Sequence, residues 1–482
     1  LKSRLLKVFV WLRLWFAASM VIPEEADDLT KASGAALKRM GARAAVGSSH
    51  GPGIVLQKQG AKLRRIHRDG AEETLLVGAA CSEVFTGRRL AQVLRPAFHR
   101  QQQVLEQLEK EESHEPLSIH TSAGFPSALP DFVERLSPHL PWSSENDWFL
   151  NVQLEGATAV WAGVEALASL RKLGIIPALR ERKEFEGLCY VGVAENSYHG
   201  AKTTALGQPA LPRWANAPRT SGQVSYPLPP LNANPEAREA YVAQFKEFLV
   251  ANSQIGIFVF EPQWGSSLLG RTWQPDLLRE VIALCHGSGA SVLCDEIMCG
   301  LGRHGTGSLF LSTAWALDAD AVTFGKAMAS GAFPLSGVAV RRGRDALFSS
   351  SQQIQQGHTY AGSSSLAYLT ASQVLQEVPN WFGKAHELGQ LVREVLGPLE
   401  EEGFLRLHGQ GLLWGGDLCG NAERLARLKD LCHHEKVWPY FVESPNPGFM
   451  ITPPMDIDPT EFREALSRIA RSLEALNRRS ST

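Results

Sequence analysis

The sequence lacks an excess of charge, a membrane-length apolar run and a cysteine framework. Its 48 Lys and Arg nearly balance 50 Asp and Glu, for a net charge of -2. Such a balance gives no bulk attraction to nucleic acid or to an anionic membrane surface. No segment beyond the first residues approaches the roughly 20 apolar residues that cross a bilayer. These absences favour a protein that acts on small molecules, with no nucleic-acid partner and no membrane partner in its mature form.

The cysteines give no framework either, because there are 7 of them in a chain of 482 residues. An odd count in a long chain predicts free thiols and a reducing compartment. Cys432-His433-His434 contains metal-ligand residue types, but no second cluster with metal spacing accompanies it. A solvated polar turn is therefore the better interpretation, and we predict no metal site.

Residues 1–19 form an unusual beginning with four basic residues, no acidic residue and a short apolar stretch over 8–16. The segment starts with Leu1, and Met20 follows it directly. It is interpreted as a targeting leader, a membrane anchor, or non-native sequence ahead of a start at Met20. Arg13 interrupts the apolar stretch, which is also too short to span a bilayer, so we favour a cleaved leader or a non-native segment. The compartment stays open between cytoplasm and mitochondrion.

From about residue 145, apolar runs of strand length alternate with helical periods, which is typical of βα units and a parallel sheet. A single core stops growing at roughly 250–300 residues, so a chain of this length should form two lobes. The predicted strands cover 188–194, 255–260, 291–294 and 321–324. The predicted helices cover about 88–112, 157–172, 235–252, 275–287, 366–378 and 459–477.

Reactive side chains follow these predicted strands. Glu261 follows one strand, Asp295 and Glu296 another, Tyr198 and His199 a third, and Gly325-Lys326 a fourth. In open α/β sheets, ligands bind outside the carboxyl ends of the strands. Pyridoxal phosphate needs an amine that forms an imine, a carboxylate that keeps the ring nitrogen protonated, and an aromatic on the ring face. Singly, Lys326 could be a surface lysine and Asp295 a helix cap; together they predict a site for this cofactor.

Two glycine motifs are candidates for phosphate binding. Gly156-Ala157-Thr158 opens a predicted helix, where backbone N–H groups bind phosphate, although many ordinary helices begin this way. The segment 300–305 matches G-x-G-x-x-G, the dinucleotide fingerprint. Asp295 and Glu296 stand between the strand and those glycines and would repel a pyrophosphate, so we reject a dinucleotide site.

The run from Cys294 to Gly305, with Lys326 following 31 residues after Asp295, resembles the class III (ω-amino acid type) aminotransferases. Further segments resemble family motifs in the right order, over roughly residues 115–470: Gly156-Ala157-Thr158-Ala159-Val160, Tyr198-His199-Gly200, Glu261-Pro262, His358-Thr359-Tyr360-Ala361-Gly362 and Thr452-Pro453-Pro454-Met455.

The resemblance implies a role for each matching residue. Lys326 would hold pyridoxal 5'-phosphate as a Schiff base and shuttle a proton, and Asp295 would pair with the pyridinium nitrogen. Ile297 and Tyr198 would cover the two ring faces. Glu261 would contact the residues that bind the cofactor, or would lie near the substrate. The residues implied for cofactor binding are Gly156, Ala157, Thr158, Tyr198, His199, Glu261, Asp295, Ile297, Lys326 and Thr359. Thr359 would reach the phosphate of a neighbouring subunit, which implies a homodimer with shared active sites.

The sequence departs from the relatives that use glutamate or ornithine. Where they carry an Arg after Y-H-G, an Arg before A-P-P-L and a Glu five residues after the E-P glutamate, this chain has Ala201, Met450 and Ser266. His408 occupies a position that often carries an Arg in the amine:pyruvate branch. Met298 replaces a hydrogen-bonding Gln, and Ala157 a Ser. The departures predict an ω-amine or small amino acid as donor and a 2-oxo acid such as pyruvate as acceptor.

The predicted fold class is α/β, the fold type I of pyridoxal-phosphate transferases, with a large mostly parallel-sheet domain and a smaller α/β lobe. The predicted limits are 20–114 for an N-terminal segment of the small lobe, 115–375 for the cofactor domain and 376–482 for the C-terminal small domain. A pyridoxal-phosphate lyase, decarboxylase or aminomutase on the same scaffold remains an alternative, since the cofactor serves all of them. A non-catalytic homologue is a further alternative, which the presence of both Lys326 and Asp295 argues against.

Overall fold

A computed structural model describes residues 54–59, 61–67, 70–78, 81–119, 123–142, 148–170, 190–200, 223–231, 234–341, 359–443 and 446–478. The predicted leader, residues 1–19, lies outside the described residues. So do Ala201 and His358, two positions named above from the resemblance.

A seven-stranded sheet forms the centre of the larger part of the chain. Its spatial order is β4-β10-β9-β8-β7-β5-β6. The strands are β4 (Trp148–Gln153), β5 (Tyr190–Ala194), β6 (Gln223–Tyr226), β7 (Ile255–Phe260), β8 (Ser291–Asp295), β9 (Ala321–Phe324) and β10 (Ser336–Arg341). Five neighbouring strands, β9 to β6 in that order, run parallel, whereas β10 pairs antiparallel with both β4 and β9. A mostly parallel sheet of the predicted class is therefore present.

The central strands are buried on both faces, as their unbroken apolar runs predict. Every residue of β7, β8 and β9 is buried. The strands predicted at 255–260 and 321–324 have those limits in the structure, and β8 extends one residue further, to Asp295.

Helix α3 (Gly156–Leu170) packs on one face of this sheet and begins where β4 ends. Its residues Val160, Val164 and Leu167 join Ile257 and Val259 of β7 in one apolar cluster. Burying a side chain of this size stabilises the fold by roughly 1.5–3 kcal/mol. The first turn of α3 is thus fixed at the edge of the sheet by the packing of the turns that follow it.

The other described α-helices lie before, between and after the strands. They are α1 (Gly87–Glu109), α2 (Leu129–Leu136), α4 (Pro235–Ala251), α5 (Pro275–Gly287), α6 (Leu311–Ala314), α7 (Ser365–Glu377), α8 (Phe382–Glu401), α9 (Ala422–His434) and α10 (Pro459–Arg478). All six predicted helices are present, with ends that differ by up to three residues. None of the described helices is long and apolar enough to cross a membrane.

A second, antiparallel sheet follows α8. Its order is β11-β12-β15-β14, from Arg406–Gln410, Leu413–Asp417, Gly448–Ile451 and Tyr440–Val442. The short strand β13 (Val437–Trp438) pairs instead, in parallel, with Leu75 and Leu76.

The chain divides into two units, residues 1–58 with 63–74 and residues 59–62 with 75–482. The described part of the first unit contributes to three neighbouring strands, β1 (Ile54–Gln59), β2 (Lys62–His67) and β3 (Gly70–Leu76). The predicted domain limits of 20–114, 115–375 and 376–482 stay a prediction.

Candidate active site

The carboxyl ends of β5, β7, β8 and β9 place the predicted reactive residues along one edge of the sheet. Lys326 follows β9, Asp295 ends β8, Glu261 follows β7, and His199 lies five residues beyond β5. Because these strands are parallel and adjacent, their carboxyl ends share one edge. The amine and the carboxylates named from the sequence therefore occupy neighbouring strand ends.

Lys326 begins a short 3-10 helix, Lys326–Ala329, and its φ of 45° is in the left-handed region. Such a backbone costs a non-glycine residue about 1–3 kcal/mol, which the surrounding structure must offset. The preceding Gly325 is closely packed, because a Cβ there would lie 2.5 Å from Ser336 Oγ and 3.0 Å from Ile297 Cδ1, and these side chains would have to shift. The half-buried Lys326 side chain has no hydrogen bond or ion pair to any described residue, so its amine is available for reaction.

Asp295 is 6% exposed and its carboxylate is held by three donors. Oδ1 accepts hydrogen bonds from Ile297 N at 3.1 Å and from Thr323 Oγ1 at 3.0 Å. Oδ2 lies 2.7 Å from Nδ1 of the buried His199. Hydrogen bonds to an ionised carboxylate are among the stronger ones in proteins, so this carboxylate is fixed in orientation.

Glu261 holds two loops of the site together. Its Oε2 accepts a hydrogen bond from Gly265 N at 2.9 Å, and its Oε1 accepts one from Tyr198 N at 3.5 Å. Burial raises the pKa of Glu261 to about 7, against the opposing field of His199. Tyr198, predicted to cover a ring face, is 38% exposed, so its ring is open to a ligand.

The predicted phosphate turn, Gly156-Ala157-Thr158, forms the first turn of α3. The first N–H groups of a helix have no partner within the helix and carry the positive end of its dipole. The Thr158 hydroxyl donates to the carbonyl of Glu155 at 2.8 Å. A Cβ at Gly156 would lie 2.8 Å from Ile297 Cγ2, so glycine lets Ile297 lie directly beside the turn. Ile297, predicted to pack on a ring face, thus lies between the predicted phosphate turn and Gly325.

Thr359 is exposed and begins a turn that runs to Gly362. Three large apolar side chains near it are also exposed: Tyr360 at 63%, Phe125 at 62% and Leu154 at 36%. Leu154 directly precedes the phosphate turn, and a Cβ at Gly362 would touch both Val152 of β4 and Phe125. Exposed apolar side chains therefore lie beside the predicted phosphate turn.

His408 and Met450, two positions at which this sequence departs from its family, lie close together. His408, Gly415 and Met450 face one another across β11, β12 and β15. Met450 is fully buried and brings no charge. Burial lowers the pKa of His408 despite the field of Asp417, so its imidazole is mostly neutral at pH 7.

The segment that follows Glu261, residues 265–269, packs against Gly415 in the middle of this row. Ser266 starts a 3-10 helix, Ser266–Leu268, and a Cβ at Gly415 would overlap the Leu269 carbonyl. Met298 packs beside Gly265, where a Cβ would lie 2.6 Å from the Met298 sulfur.

Sequence reasoning missed Thr323 and Arg303. Thr323 pairs with Asp295 in the register of β8 and β9, and only that register shows that its hydroxyl supports the carboxylate. Arg303 is 2% exposed and donates to the carbonyls of Glu83, Leu412 and Pro453. The sequence signal for Arg303 was its place within the glycine motif at 300–305.

The segment that contains Glu83 also lies close to Lys326. Cys81 is buried, and burial raises the pKa of its thiol, against the fields of Arg303 and Lys326. Phe85 N donates to Ser330 Oγ at 3.4 Å, just beyond the helix that Lys326 begins.

Comparison with known proteins gives a family match and several relatives. The family model for class-III aminotransferases matches residues 159–473. A 4-aminobutyrate aminotransferase of Escherichia coli (strain K12) is 30% identical over 213 residues, which cover 43% of this chain and 48% of that protein. An ornithine aminotransferase of Emericella nidulans is 26% identical over 306 residues, 62% of each chain. The chain thus spans about half to three fifths of the length of these two relatives.

Two solved structures share the fold. An (S)-enantioselective omega-transaminase from Thermomicrobium roseum superposes with a TM-score of 0.71 at 19% identity, covering 89% of this chain and 93% of that chain. A Bacillus anthracis aminotransferase superposes with a TM-score of 0.73 at 18% identity, covering 95% of this chain and 100% of that chain. The fold is therefore that of the transaminases, as predicted.

Proposed function

The chain belongs to the class-III aminotransferase family, and from that membership we propose that it is a pyridoxal-phosphate-dependent transaminase. It would move an amino group from an ω-amine or small amino acid to a 2-oxo acid. One observation carries the proposal: Lys326, without a bonding partner among the described residues, follows the strand next to the one that ends in Asp295.

The residues present fit pyridoxal 5'-phosphate. Lys326 would hold its aldehyde carbon, Asp295 its ring nitrogen, and the N–H groups of residues 156–158 its phosphate. At both Gly156 and Gly325, the missing side chain leaves room for Ile297, which would pack on one face of the cofactor ring. When bound, the cofactor supplies the electron sink for bond cleavage at the substrate carbon.

The side chains of this chain supply the rest of the chemistry. Once the amine of the substrate has replaced it on the aldehyde carbon, Lys326 Nζ would be free to take a proton from the substrate carbon and to return it to that former aldehyde carbon, acting as base and then as acid. Asp295, held by Thr323 and His199, keeps a negative charge fixed where positive charge must be stabilised. Ile297 packs against the site on one side and excludes water from it.

A monocarboxylate acceptor such as pyruvate fits this site better than 2-oxoglutarate. A second carboxylate needs a cation, because burying that charge unpaired costs several kcal/mol. Met450 is buried and uncharged, Ser266 carries no charge, and His408 is mostly neutral. The three row residues His408, Gly415 and Met450 thus carry no fixed positive charge themselves, and the positive charges that act on the His408 ring are those of Arg271 and Arg406.

The exposed patch of Phe125, Leu154 and Tyr360 supports a homodimer. Contiguous exposed apolar side chains beside a binding site mark an interface. A second copy that covered this patch would bring its Thr359 near the phosphate turn of the first, as the family resemblance implies. Each active site would then be completed by both subunits.

The function is tested with a panel of amine and amino-acid donors, with pyruvate or 2-oxoglutarate as acceptor. We expect the donor to be converted to its carbonyl product and the acceptor to its amino acid, with a higher kcat/KM for pyruvate. Loss of carbon dioxide or another fragment from the donor, without amino transfer, would point to the lyase or decarboxylase alternative. A higher kcat/KM for 2-oxoglutarate would refute only the acceptor proposal.

A further inference from the structure

We propose that Ser336 is a further cofactor-binding residue, whose hydroxyl donates a hydrogen bond to the phosphate group of the bound cofactor. The inference rests on the proposed cofactor site and extends it by a residue from strand β10. Ser336 is the first residue of β10, which runs antiparallel to β9. It therefore lies at the edge of the sheet where the carboxyl ends of β5, β7, β8 and β9 meet.

The strand register places Ser336 between the two parts of the proposed cofactor site. On one side, Ser336 pairs with Gln153, the last residue of β4, and the chain then enters the predicted phosphate turn at 156–158. On the other side, β10 pairs with β9, and the end of β9 leads directly into Gly325 and Lys326. The phosphate turn and the reactive lysine thus flank Ser336.

The Ser336 side chain lies on the face of the sheet that α3 covers. Successive side chains of a strand point to opposite faces, and Val338 and Val340 of β10 belong to the same apolar cluster as Val160 of α3. Ser336 lies two residues before Val338, so it points to that same face. A Cβ at Gly325 would lie 2.5 Å from Ser336 Oγ, so the hydroxyl extends into space that a side chain at position 325 would fill.

The Ser336 hydroxyl has no partner within the part of the chain that the structure describes. The residue is 2% exposed, and its hydroxyl makes no hydrogen bond to any described residue. A buried hydroxyl without a partner destabilises a fold, and such groups are rare unless a ligand or a water molecule satisfies them. The free hydroxyl therefore favours a ligand atom at this edge of the sheet.

The predicted phosphate turn offers no free side-chain donor of its own. Ala157 has no polar side chain, and the Thr158 hydroxyl donates its one proton to the carbonyl of Glu155 at 2.8 Å. The first backbone N–H groups of α3 remain as donors. Hydrogen bonds to a charged acceptor are the stronger ones, so the Ser336 hydroxyl would supply the side-chain donor that the turn lacks.

The test compares two ligands that differ only in the phosphate. Full-length apoenzyme is titrated with pyridoxal 5'-phosphate and with pyridoxal, and the visible absorbance gives each dissociation constant. The wild type is compared with Ser336→Ala. Ser291→Ala is the matched control, because Ser291 is also 2% exposed and also begins a strand, β8, but at the opposite edge of the sheet.

We expect Ser336→Ala to weaken the binding of pyridoxal 5'-phosphate by about 10-fold to 100-fold, as for the loss of one hydrogen bond to a charged group. Its affinity for pyridoxal should equal that of the wild type, and Ser291→Ala should change neither constant. Equal weakening of both ligands would overturn the inference, since the hydroxyl would then act at the lysine or on the ring. Unchanged binding of both ligands would overturn it as well.

A second variant covers the case in which Ser336→Ala does not fold. Ser336→Cys keeps a side chain at this position but replaces the hydroxyl with a weak donor. It should also lose affinity for pyridoxal 5'-phosphate in preference to pyridoxal.

Failure of the proposed function gives different results. A wild type that binds pyridoxal 5'-phosphate through Lys326 but releases carbon dioxide or another fragment from the donor would refute the transaminase proposal and leave the role of Ser336 intact. A wild type that binds neither ligand would refute both. Normal amino transfer with equal losses for the two ligands in Ser336→Ala rejects the phosphate contact alone.

Discussion

Lys326 stands in a strained backbone position with no bond to the described residues, and this combination suits a reactive amine. We expect Lys326→Ala and Lys326→Arg to abolish amino transfer while the protein stays folded. The arginine variant keeps the charge but cannot form an imine, so it separates chemistry from charge. The measurement is mass spectrometry of borohydride-treated enzyme: a cofactor mass should be attached to Lys326 in the wild type and to no residue in the variants.

A cofactor adduct that persists in Lys326→Ala would move the assignment to another lysine. The sequence identified this residue because glycine and lysine directly follow a short apolar strand. It did not show how closely Ser336 and Ile297 approach Gly325, which means that a side chain at this position would displace them.

Glu296, the next residue after Asp295, has a structural task. Its carboxylate accepts hydrogen bonds from Leu311 N at 2.6 Å and Ser312 N at 2.7 Å, at the start of α6. Burial raises its pKa in the folded protein to about 7. A raised carboxyl pKa stabilises the fold at low pH, and that contribution is lost as the pH rises toward 7.

We therefore expect the free energy of unfolding of the wild type, relative to Glu296→Gln, to fall between about pH 5 and pH 7. The slope is at most one proton, about 1.4 kcal/mol per pH unit. Urea unfolding of both proteins across this range measures the difference. A difference that is flat with pH would show that Glu296 is ionised in the folded state throughout.

At the scale of elements, strand β12 supports the loop that follows Glu261. Gly415 has no side chain, and the Leu269 carbonyl occupies the place where a Cβ would be. We expect Gly415→Ala to push this loop away and to destabilise the protein by about 1–3 kcal/mol, the usual cost of overpacking. Thermal unfolding measures the effect, and the KM for the acceptor should rise because Gly265 and Ser266 move with the loop.

Gly383→Ala is the matched control for this change. A Cβ at Gly383, inside α8, meets nothing within 4 Å. Alanine is favoured over glycine by roughly 1 kcal/mol in a helix interior and by less in the first turn, where Gly383 lies, so this variant should be at least as stable as the wild type. Equal stability of Gly415→Ala and Gly383→Ala would mean that the loop after Glu261 can move away from position 415 without lowering the free energy of unfolding.

The elements themselves were largely predictable, and their spatial order was not. Unbroken apolar runs such as 255–260 predict buried parallel strands because both faces are covered. The order β4-β10-β9-β8-β7-β5-β6 depends on long-range packing that local periodicity does not encode. The sequence therefore predicted that Asp295 and Lys326 share an edge, but not the pairing of Thr323 with Asp295 or the contact of His199 with Asp295.

At the scale of the whole molecule, the proposed dimer predicts a result for the exposed apolar patch. We expect Phe125→Asp to convert the dimer into monomers, because an interface would have to bury the new charge. Val250→Asp is the control, since Val250 is 81% exposed on α4 and lies outside the patch. Analytical ultracentrifugation of the three proteins distinguishes the states. A dimer that persists in Phe125→Asp would place the interface elsewhere.

The Arg303 contacts also bear on the order in which the protein folds during synthesis. The guanidinium reaches its carbonyl partners only after segments around residues 83, 412 and 453 have met, a span of 370 positions along the chain. Contacts so distant in sequence form late, and a chain leaving the ribosome exposes its N-terminal segments first. Until residue 453 has been made, Arg303 lacks its Pro453 carbonyl partner and cannot take up its buried position. Synthesis of the segment around Pro453 is thus the step that completes the surroundings of Arg303.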